Sequence, residues 1–192
     1  MGYNADHYHP GGESDNWNNF IHCANEMPLR DMFEQKKYYH IYNRGLYKQT
    51  LFHNEEDFKR FSIYMDRYIK KCSQEFDILA YCLLPNHFHF VFFNKTQWYK
   101  ISYFIWNICA SYIRYYQNKY HIDRGKLYFE SRFKCKEIDD QEYLQQCLHY
   151  VENNPVKHGI VDTILDRQFR SDCYCHPGAQ LLDCDLSAHL EE

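Results

Sequence analysis

Two apolar segments on either side of Pro85-Asn86 constrain the fold more than any other feature of the sequence. Residues 76–84 read FDILAYCLL and residues 87–93 read HFHFVFF. Both segments are rich in the aromatic and β-branched residues that are typical of strands. A proline followed by an asparagine favours a turn between them. The sequence therefore predicts an antiparallel β-hairpin at residues 76–93.

The second strand of this hairpin alternates histidine with phenylalanine, as His87, Phe88, His89, Phe90 and then Phe92. Because alternate side chains of a strand share a face, the imidazoles point one way and the phenyl rings point the other. The phenyl side can be buried in a core, and two imidazoles at this spacing can hold one divalent metal ion. The alternative is that both histidines are ordinary polar residues on the solvated face of a half-buried strand.

The remaining elements follow from capping residues and helix breakers. Asn54 precedes three acidic residues, which is the pattern of a helix N-cap and first turn. Asp139-Asp140 caps a last helix, and Pro155 is expected to end it near residue 154. The full expectation is a strand at 37–42, a turn at 43–45, a helix at 55–72, the hairpin, a helix at 98–120, a loop at 121–126, a partly extended stretch at 127–138 and a helix at 140–154. This order, β-α-β-β-α-β-α, predicts an α+β sheet with helices packed on one face.

Tyr150 and Asn154 lie one turn apart on the predicted last helix and project together from the rim of its buried face. A phenol is a poor nucleophile at its ordinary pKa of about 10, but a nearby metal or general base can make it effective. The alternative for Tyr150, one of 19 tyrosines, is a packing role. The stripe that carries both residues also holds Tyr143 and Cys147, and the adjacent apolar stripe, expected to face the core, consists of Leu144, Leu148 and Val151.

The formal net charge of −4 argues at first against a nucleic-acid partner, but the charge is unevenly distributed. Residues 1–35 carry six acids and one base, and residues 176–192 carry four acids and no base. Residues 36–175 carry 21 bases and 16 acids. We therefore divide the chain into an acidic N-terminal extension, a basic body and an acidic C-terminal tail. Six bases between residues 119 and 136 indicate phosphate binding or, alternatively, a solvated loop.

Targeting and metal signals are weak. The first 20 residues are polar, and no segment approaches the roughly 18 apolar residues of a membrane span, so we expect a cytoplasmic protein with no membrane partner. The nine cysteines show no repeating spacing, which favours free buried thiols. Cys173, Cys175 and His176 lie close together, but without a second ligand pair they leave a structural zinc site only as an alternative.

Three motifs in order carry a resemblance to a known family. They are LAYCLLPNHFH at residues 79–89, GKLYFESRFK at residues 125–134 and YVENNPVKHGIV at residues 150–161. Together they resemble the single-tyrosine HUH transposases of insertion sequences, and most closely the branch of REP-associated tyrosine transposases. The likeness runs from about residue 37 to about residue 174.

The resemblance implies a ferredoxin-like antiparallel sheet with helices packed on it, the HUH endonuclease fold. It also implies a metal-dependent endonuclease and strand transferase that cleaves single-stranded DNA, at sites flanked by hairpins, through a 5′-phosphotyrosine intermediate. Carried over position by position, His87 and His89 are metal ligands and Tyr150 is the nucleophile. Asn154 is the third ligand, where the compact insertion-sequence members carry glutamine. The expected metal is Mg²⁺ or Mn²⁺, and no nucleotide cofactor is expected.

The expected partner is single-stranded or hairpin DNA, bound by a monomer or a homodimer that is associated with the nucleoid. Candidate DNA contacts are Arg44, Lys126, Arg132 and Lys134. One alternative is a different HUH enzyme, a relaxase or replication initiator. Another is a catalytically inactive or domesticated protein that binds DNA hairpins on the same fold.

Overall fold

A computed structural model describes residues 33–72, 74–96, 100–122, 128–130 and 132–159 of the 192-residue chain. Within these ranges the chain alternates strands and helices in the expected order. A short 3₁₀ turn, Leu46–Lys48, follows the first strand. The elements are β1 (Lys37–Arg44), α1 (Glu55–Cys72), β2 (Phe76–Leu84), β3 (His87–Asn94), α2 (Lys100–Tyr120), β4 (Lys134–Ile138) and α3 (Gln141–Lys157).

The four strands form one antiparallel sheet in the order β2-β3-β1-β4. The β2–β3 hairpin turns at Pro85-Asn86, as the sequence predicts. Register places His89 between Cys82 of β2 and Tyr42 of β1, so the histidine strand is central. With its helices, this sheet confirms the expected α+β, ferredoxin-like fold.

One face of the sheet carries an aromatic core. Phe88, Phe90 and Phe92 are fully buried on this face, as the alternation of β3 predicts. Phe61 of α1 contacts Phe88, and Phe104 of α2 contacts Phe90 and Phe92 through ring edges. Helices α1 and α2 therefore cover the phenyl side of the sheet.

The expectation that all helices pack on one face is wrong, because α3 lies on the opposite face. Edge strand β2 and central strand β3 are apolar on both sides, and Ala80, Cys82 and Val91 point away from the aromatic core. The stripe of α3 that carries Leu144 and Val151 buries these residues in a second, smaller core. The predicted core-facing stripe of α3 is thus confirmed, and it brings this helix onto the histidine side of the sheet.

Two predicted boundaries differ from the structure. Strand β1 continues to Arg44, so the chain turns after Gly45 rather than at residues 43–45. Helix α3 begins at the predicted cap, where the Asp140 side chain accepts a hydrogen bond from the Tyr143 backbone, but it runs through Pro155 to Lys157. Pro155 lacks the N–H of one intrahelical hydrogen bond, yet the helix continues past it, and the His158 N–H still donates to the Asn154 carbonyl at 3.0 Å.

The described part of the long helix α2 begins at Lys100, and residues 98 and 99 of its predicted start lie outside the described ranges. So do most of the predicted loop at 121–126 and the Cys173, Cys175 and His176 cluster. Among the described residues, none of the helices has the length and apolar character needed to cross a membrane. The five cysteines described are free thiols, at positions 72, 82, 109, 135 and 147.

Candidate functional site

The two imidazoles of β3 lie side by side beneath α3. The rings of His87 and His89 are 5.2 Å apart between centroids and nearly perpendicular. His89 is only 5% exposed and His87 is half-buried, so the histidine face is covered rather than solvated. The sequence prediction of two imidazoles on one face is confirmed.

In both His87 and His89 the Nδ1 atom is hydrogen-bonded, so the Nε2 atom is the one available to coordinate a metal ion. The Nδ1 of His87 donates to the side-chain oxygen of Asn86 at 2.6 Å, which leaves its Nε2 with a lone pair. The Nδ1 of His89 is paired with the Nε2 of His40 at 2.9 Å. When the Nδ1 of His89 donates its hydrogen to His40, the Nε2 of His89 carries a lone pair. A histidine needs such a lone pair to coordinate a metal ion.

The site keeps these imidazoles neutral. Burial, reinforced by the neighbouring His40, His87 and His158, lowers the pKa of His89 to about 3. Burial and the nearby His158 and Arg44 lower the pKa of His87 to about 4. Burial, with Lys136 nearby, lowers the pKa of His40 to about 4. Near neutral pH all three rings are therefore uncharged, which is the form that binds metals.

Tyr150 projects from α3 over the same histidines of its own chain. Its ring lies 5.6 Å from the ring of His89 at a right angle, and 6.2 Å from the ring of His40. The Nζ of Lys157 lies 5.8 Å from the Tyr150 ring centroid. Tyr150 is 41% exposed, so its ring contacts the histidines while it remains accessible to a substrate.

Asn154, one turn after Tyr150, is a buried amide with unmet hydrogen-bonding capacity. It is 1% exposed, and among the described residues neither its side-chain oxygen nor its nitrogen has a hydrogen-bond partner of ordinary geometry. The amide lies beside the thiol of Cys82, which is at most a weak partner. A buried unpaired amide is costly and uncommon in folded proteins. Its oxygen therefore fits a ligand for a hard divalent cation.

His87 and His89 form a three-ligand set for a divalent metal ion only if the side-chain amide of Asn154 is the third ligand. Within the described ranges, no group of three or more His, Cys, Asp or Glu side chains is arranged to hold a metal. Two neutral imidazoles and one amide oxygen form a mixed nitrogen and oxygen set, which suits Mn²⁺ better than the strictly oxygen-preferring Mg²⁺.

Two clefts open on either side of Tyr150, and both are bounded by Tyr42, His89 and Tyr150 itself. The first cleft has a volume of about 430 Å³ and the second about 600 Å³. The remaining walls of the first cleft are Asn43, Arg44, Lys48, Asn86, His87, Glu130, Lys134 and His158, and those of the second are His40, Lys136, Tyr143, Gln146 and Cys147.

The four predicted DNA contacts do not all lie at the candidate site. Arg44 and Lys134 line the first cleft, although Arg44 also forms a two-point ion pair with Glu130 at 2.9 and 3.0 Å. Arg132 lines neither cleft; it is half-buried, which lowers the pKa of its guanidinium, and it lies over the ring of Phe133. Lys126 lies outside the described residues.

The described bases of the stretch at 119–136 do not form one surface. Lys119 forms ion pairs with Asp57 and Glu56 at the ends of α1 and α2. On β4, Lys134 pairs in register with Tyr42 and Lys136 with His40, so both lysines reach the histidine face. Strand alternation on β4 therefore supplies two of the positive charges beside Tyr150.

The sequence pattern does not single out His40, Tyr42 and His158, and it includes Lys136 only as one of the bases at 119–136. His40 and Tyr42 alternate on β1 as His87 and His89 do on β3, but they reach the site only because β1 and β3 are neighbours. His158 comes four residues after Asn154 and lies 5.4 Å from His87 between ring centroids. The spacing of four residues between Asn154 and His158 places both on one side of a helix. Because the helix was expected to end at residue 154, this spacing did not predict a contribution from His158.

Comparison with known proteins bears on the fold and on the family of this chain. A solved structure described as a REP-associated tyrosine transposase bound to a REP hairpin has a similar fold, with a TM-score of 0.58 and 17% sequence identity over 73% of this chain and 79% of that one. No curated protein matches the chain. The model of the family described as "Transposase IS200 like" matches residues 34–154, from the start of the sheet to Asn154. This match spans well over half of the chain, which therefore belongs to the IS200-like transposase family.

Proposed function

We propose that this transposase-like DNA-binding protein is a metal-dependent endonuclease and strand transferase of the REP-associated tyrosine type, acting on single-stranded DNA. The observation that carries the proposal is the contact between Tyr150 and His89 of one chain, 5.6 Å apart between ring centroids. An accessible phenol beside neutral imidazoles suits nucleophilic attack, because a neighbouring base or a bound metal can activate the phenol.

In the proposed cleavage, the Tyr150 oxygen attacks the scissile phosphorus. A bond forms between that oxygen and phosphorus, and the bond from phosphorus to the 3′-oxygen breaks. The phenol loses its proton and the departing 3′-oxygen gains one, which leaves a 5′-phosphotyrosine and a free 3′-hydroxyl. Attack by a different 3′-hydroxyl reverses these changes and joins two strands, so no nucleotide cofactor is needed.

His87, His89 and Asn154 are the residues that would hold a divalent ion, Mn²⁺ or Mg²⁺. Such an ion supplies charge stabilisation and orientation to the scissile phosphate. The chain itself prepares the ligands, because the hydrogen bonds of Asn86 and His40 fix the ring orientation of His87 and His89. The buried, unpartnered amide of Asn154 supports its assignment as the third ligand.

The substrate is proposed to be DNA with a hairpin beside the cleaved strand, as in the hairpin complex of the similar solved structure. Arg44, Lys48 and Lys134 in the first cleft would hold phosphates close to Tyr150. Because Tyr150 and both histidines belong to one chain, a monomer has a complete set of the proposed catalytic groups.

The test is to replace Tyr150 by phenylalanine and to incubate the protein with a labelled DNA hairpin that has single-stranded flanks, in the presence of Mn²⁺. We expect wild-type protein to form a covalent adduct that persists in denaturing gels. Tyr150→Phe should form none, because a phenyl ring has no nucleophilic oxygen.

The matched control is Tyr64→Phe, because Tyr64 lies on α1, on the opposite side of the sheet from the site. This variant should form the adduct as the wild type does. An adduct in Tyr150→Phe would overturn the assignment of the nucleophile. Hairpin binding without any adduct in the wild type would favour the inactive, hairpin-binding alternative.

A further inference from the structure

Tyr47 is the most exposed large apolar side chain among the described residues, at 91% exposure. It sits at the centre of the 3₁₀ turn that follows β1. Its backbone has a φ of 53° and that of Lys48 has a φ of 62°, so two successive residues with side chains adopt the left-handed conformation. This conformation is unfavourable for a bulky residue and persists only where the surroundings impose it.

The surroundings impose it here through hydrogen bonds at both ends of the turn. The Gly45 N–H donates to the Asn86 carbonyl at 2.8 Å, and the Leu46 N–H donates to the Tyr128 carbonyl at 2.8 Å. The side-chain nitrogen of Asn86 donates to the Lys48 carbonyl at 3.2 Å. A side chain at position 45 would collide with the Gln49 carbonyl, so the turn is also tightly closed. The ring of Tyr47 is thus displayed on a fixed support.

This support is joined to the candidate active site through one residue. Asn86 binds the backbone of the turn through its carbonyl and its side-chain nitrogen, and its side-chain oxygen accepts from His87. Arg44 and Lys48, on either side of the turn, both line the first cleft. The exposed Tyr47 therefore lies in the chain between two residues that line a cationic cleft, and this cleft also contains the proposed metal ligand His87.

We propose that Tyr47 is a stacking platform for an unpaired nucleobase of the DNA strand that occupies the first cleft. This inference rests on the proposed function, because it requires a single strand beside Tyr150. Aromatic side chains next to cationic grooves bind single strands by stacking on bases, while the cations bind the phosphates. Because the backbone of the turn is already fixed, only the side-chain torsions of Tyr47 lose freedom on binding, so the contact adds efficiently to affinity.

The test measures binding of a fluorescein-labelled DNA hairpin with single-stranded flanks, by anisotropy and without divalent metal so that the DNA stays intact. Three variants are compared: Tyr47→Ala, Tyr47→Asn and Tyr47→Phe. Asparagine removes the ring but tolerates a positive φ, so it keeps the turn formed. We expect the alanine and asparagine variants to bind about 5- to 100-fold more weakly and the phenylalanine variant to bind as the wild type does.

A scan with abasic sites then locates the stacked base. One abasic position in a flank should weaken binding by the wild type and have no further effect on Tyr47→Asn, since both changes remove the same contact. If Tyr47→Asn binds and forms the adduct like the wild type, the stacking role is wrong while the proposed function stands. If the wild type neither binds the DNA nor forms the adduct, the proposed function fails and this inference fails with it.

Discussion

The hydrogen bond between His40 and His89 determines which ring nitrogen of His89 is available to a ligand. His89 is nine-tenths buried, so its ring cannot turn toward solvent to find another partner. In metal sites such supporting bonds hold the ring and the tautomer, and their loss commonly weakens metal binding. His40 is thus a positioning residue of the proposed metal site, although it is not one of its ligands.

We predict that His40→Ala lowers the affinity for Mn²⁺ by about 10- to 100-fold, because the Nδ1 of His89 loses its partner. Isothermal titration calorimetry on the protein without DNA measures this effect independently of cleavage. His40→Gln should restore part of the affinity, since an amide oxygen can accept from the same nitrogen.

The control is His149→Ala, because His149 bonds only to the neighbouring Asn153 in the hydrogen bonds described for it, on the exposed side of α3. Its Mn²⁺ affinity should match that of the wild type. Unchanged affinity in His40→Ala would contradict the positioning role.

At the scale of elements, a buried carboxylate joins α1 to α2 behind the sheet. Asp57 is fully buried, and both of its oxygens accept hydrogen bonds. Burial alone would raise its pKa, but the hydrogen bonds outweigh burial and hold the pKa below the ordinary value. The donors are the side chains of Lys119, Tyr115 and Tyr120 and the backbone of His53.

A carboxyl whose pKa is depressed by folding stabilises the folded state above its unfolded pKa of about 4, and this contribution disappears as the pH falls through the folded value. We predict that Asp57→Asn lowers the free energy of unfolding at pH 7 by about 1–3 kcal/mol, because the neutral amide loses the charge that strengthens the hydrogen bonds from Lys119 and Tyr120. Below pH 4, the free energy of unfolding of this variant should also decrease less steeply with falling pH than that of the wild type.

Urea unfolding between pH 2 and pH 7 measures both effects, with Asp139→Asn as a control at an exposed position. The control should retain the stability of the wild type within about 0.5 kcal/mol. An equal acid-induced loss in Asp57→Asn and the wild type would show that this carboxylate does not carry the pH dependence.

The elements themselves were largely predictable, because their signals are local. The Pro85-Asn86 turn, the Asn54 and Asp140 caps and the histidine alternation each depend on neighbouring residues, and the structure confirms them. The side of the sheet that α3 occupies was not predictable in this way. It depends on Ala80, Cys82 and Val91 forming a second apolar surface, and this surface exists only after the strands pair.

At the scale of the whole molecule, the site forms where three distant segments meet. β1 brings His40, β3 brings His87 and His89, and α3 brings Tyr150 and Asn154. The motifs on β3 and α3 were visible in the sequence, and the resemblance to a family connected them. The contribution of β1 was hidden, because it depends on the sheet order β2-β3-β1-β4.

The placement of positive charge at the site also depends on which strands are neighbours in the sheet. The total of −4 describes the whole chain, whereas the lysines that reach Tyr150 are set by strand register. Lys134 and Lys136 on β4 lie beside Tyr42 and His40 on β1, and Lys48 follows β1 in the next turn. Among the described residues, the cationic surface proposed to bind DNA is therefore directed at the candidate site.

The central claim is that Tyr150 becomes covalently joined to DNA. The most direct measurement is to isolate the protein–DNA adduct formed with Mn²⁺, digest the protein and the DNA, and identify the modified peptide by mass spectrometry. The account predicts a nucleotide phosphate attached to Tyr150 and to none of the other 18 tyrosines. A phosphate on a different residue, or an adduct that contains no phosphotyrosine, would contradict it.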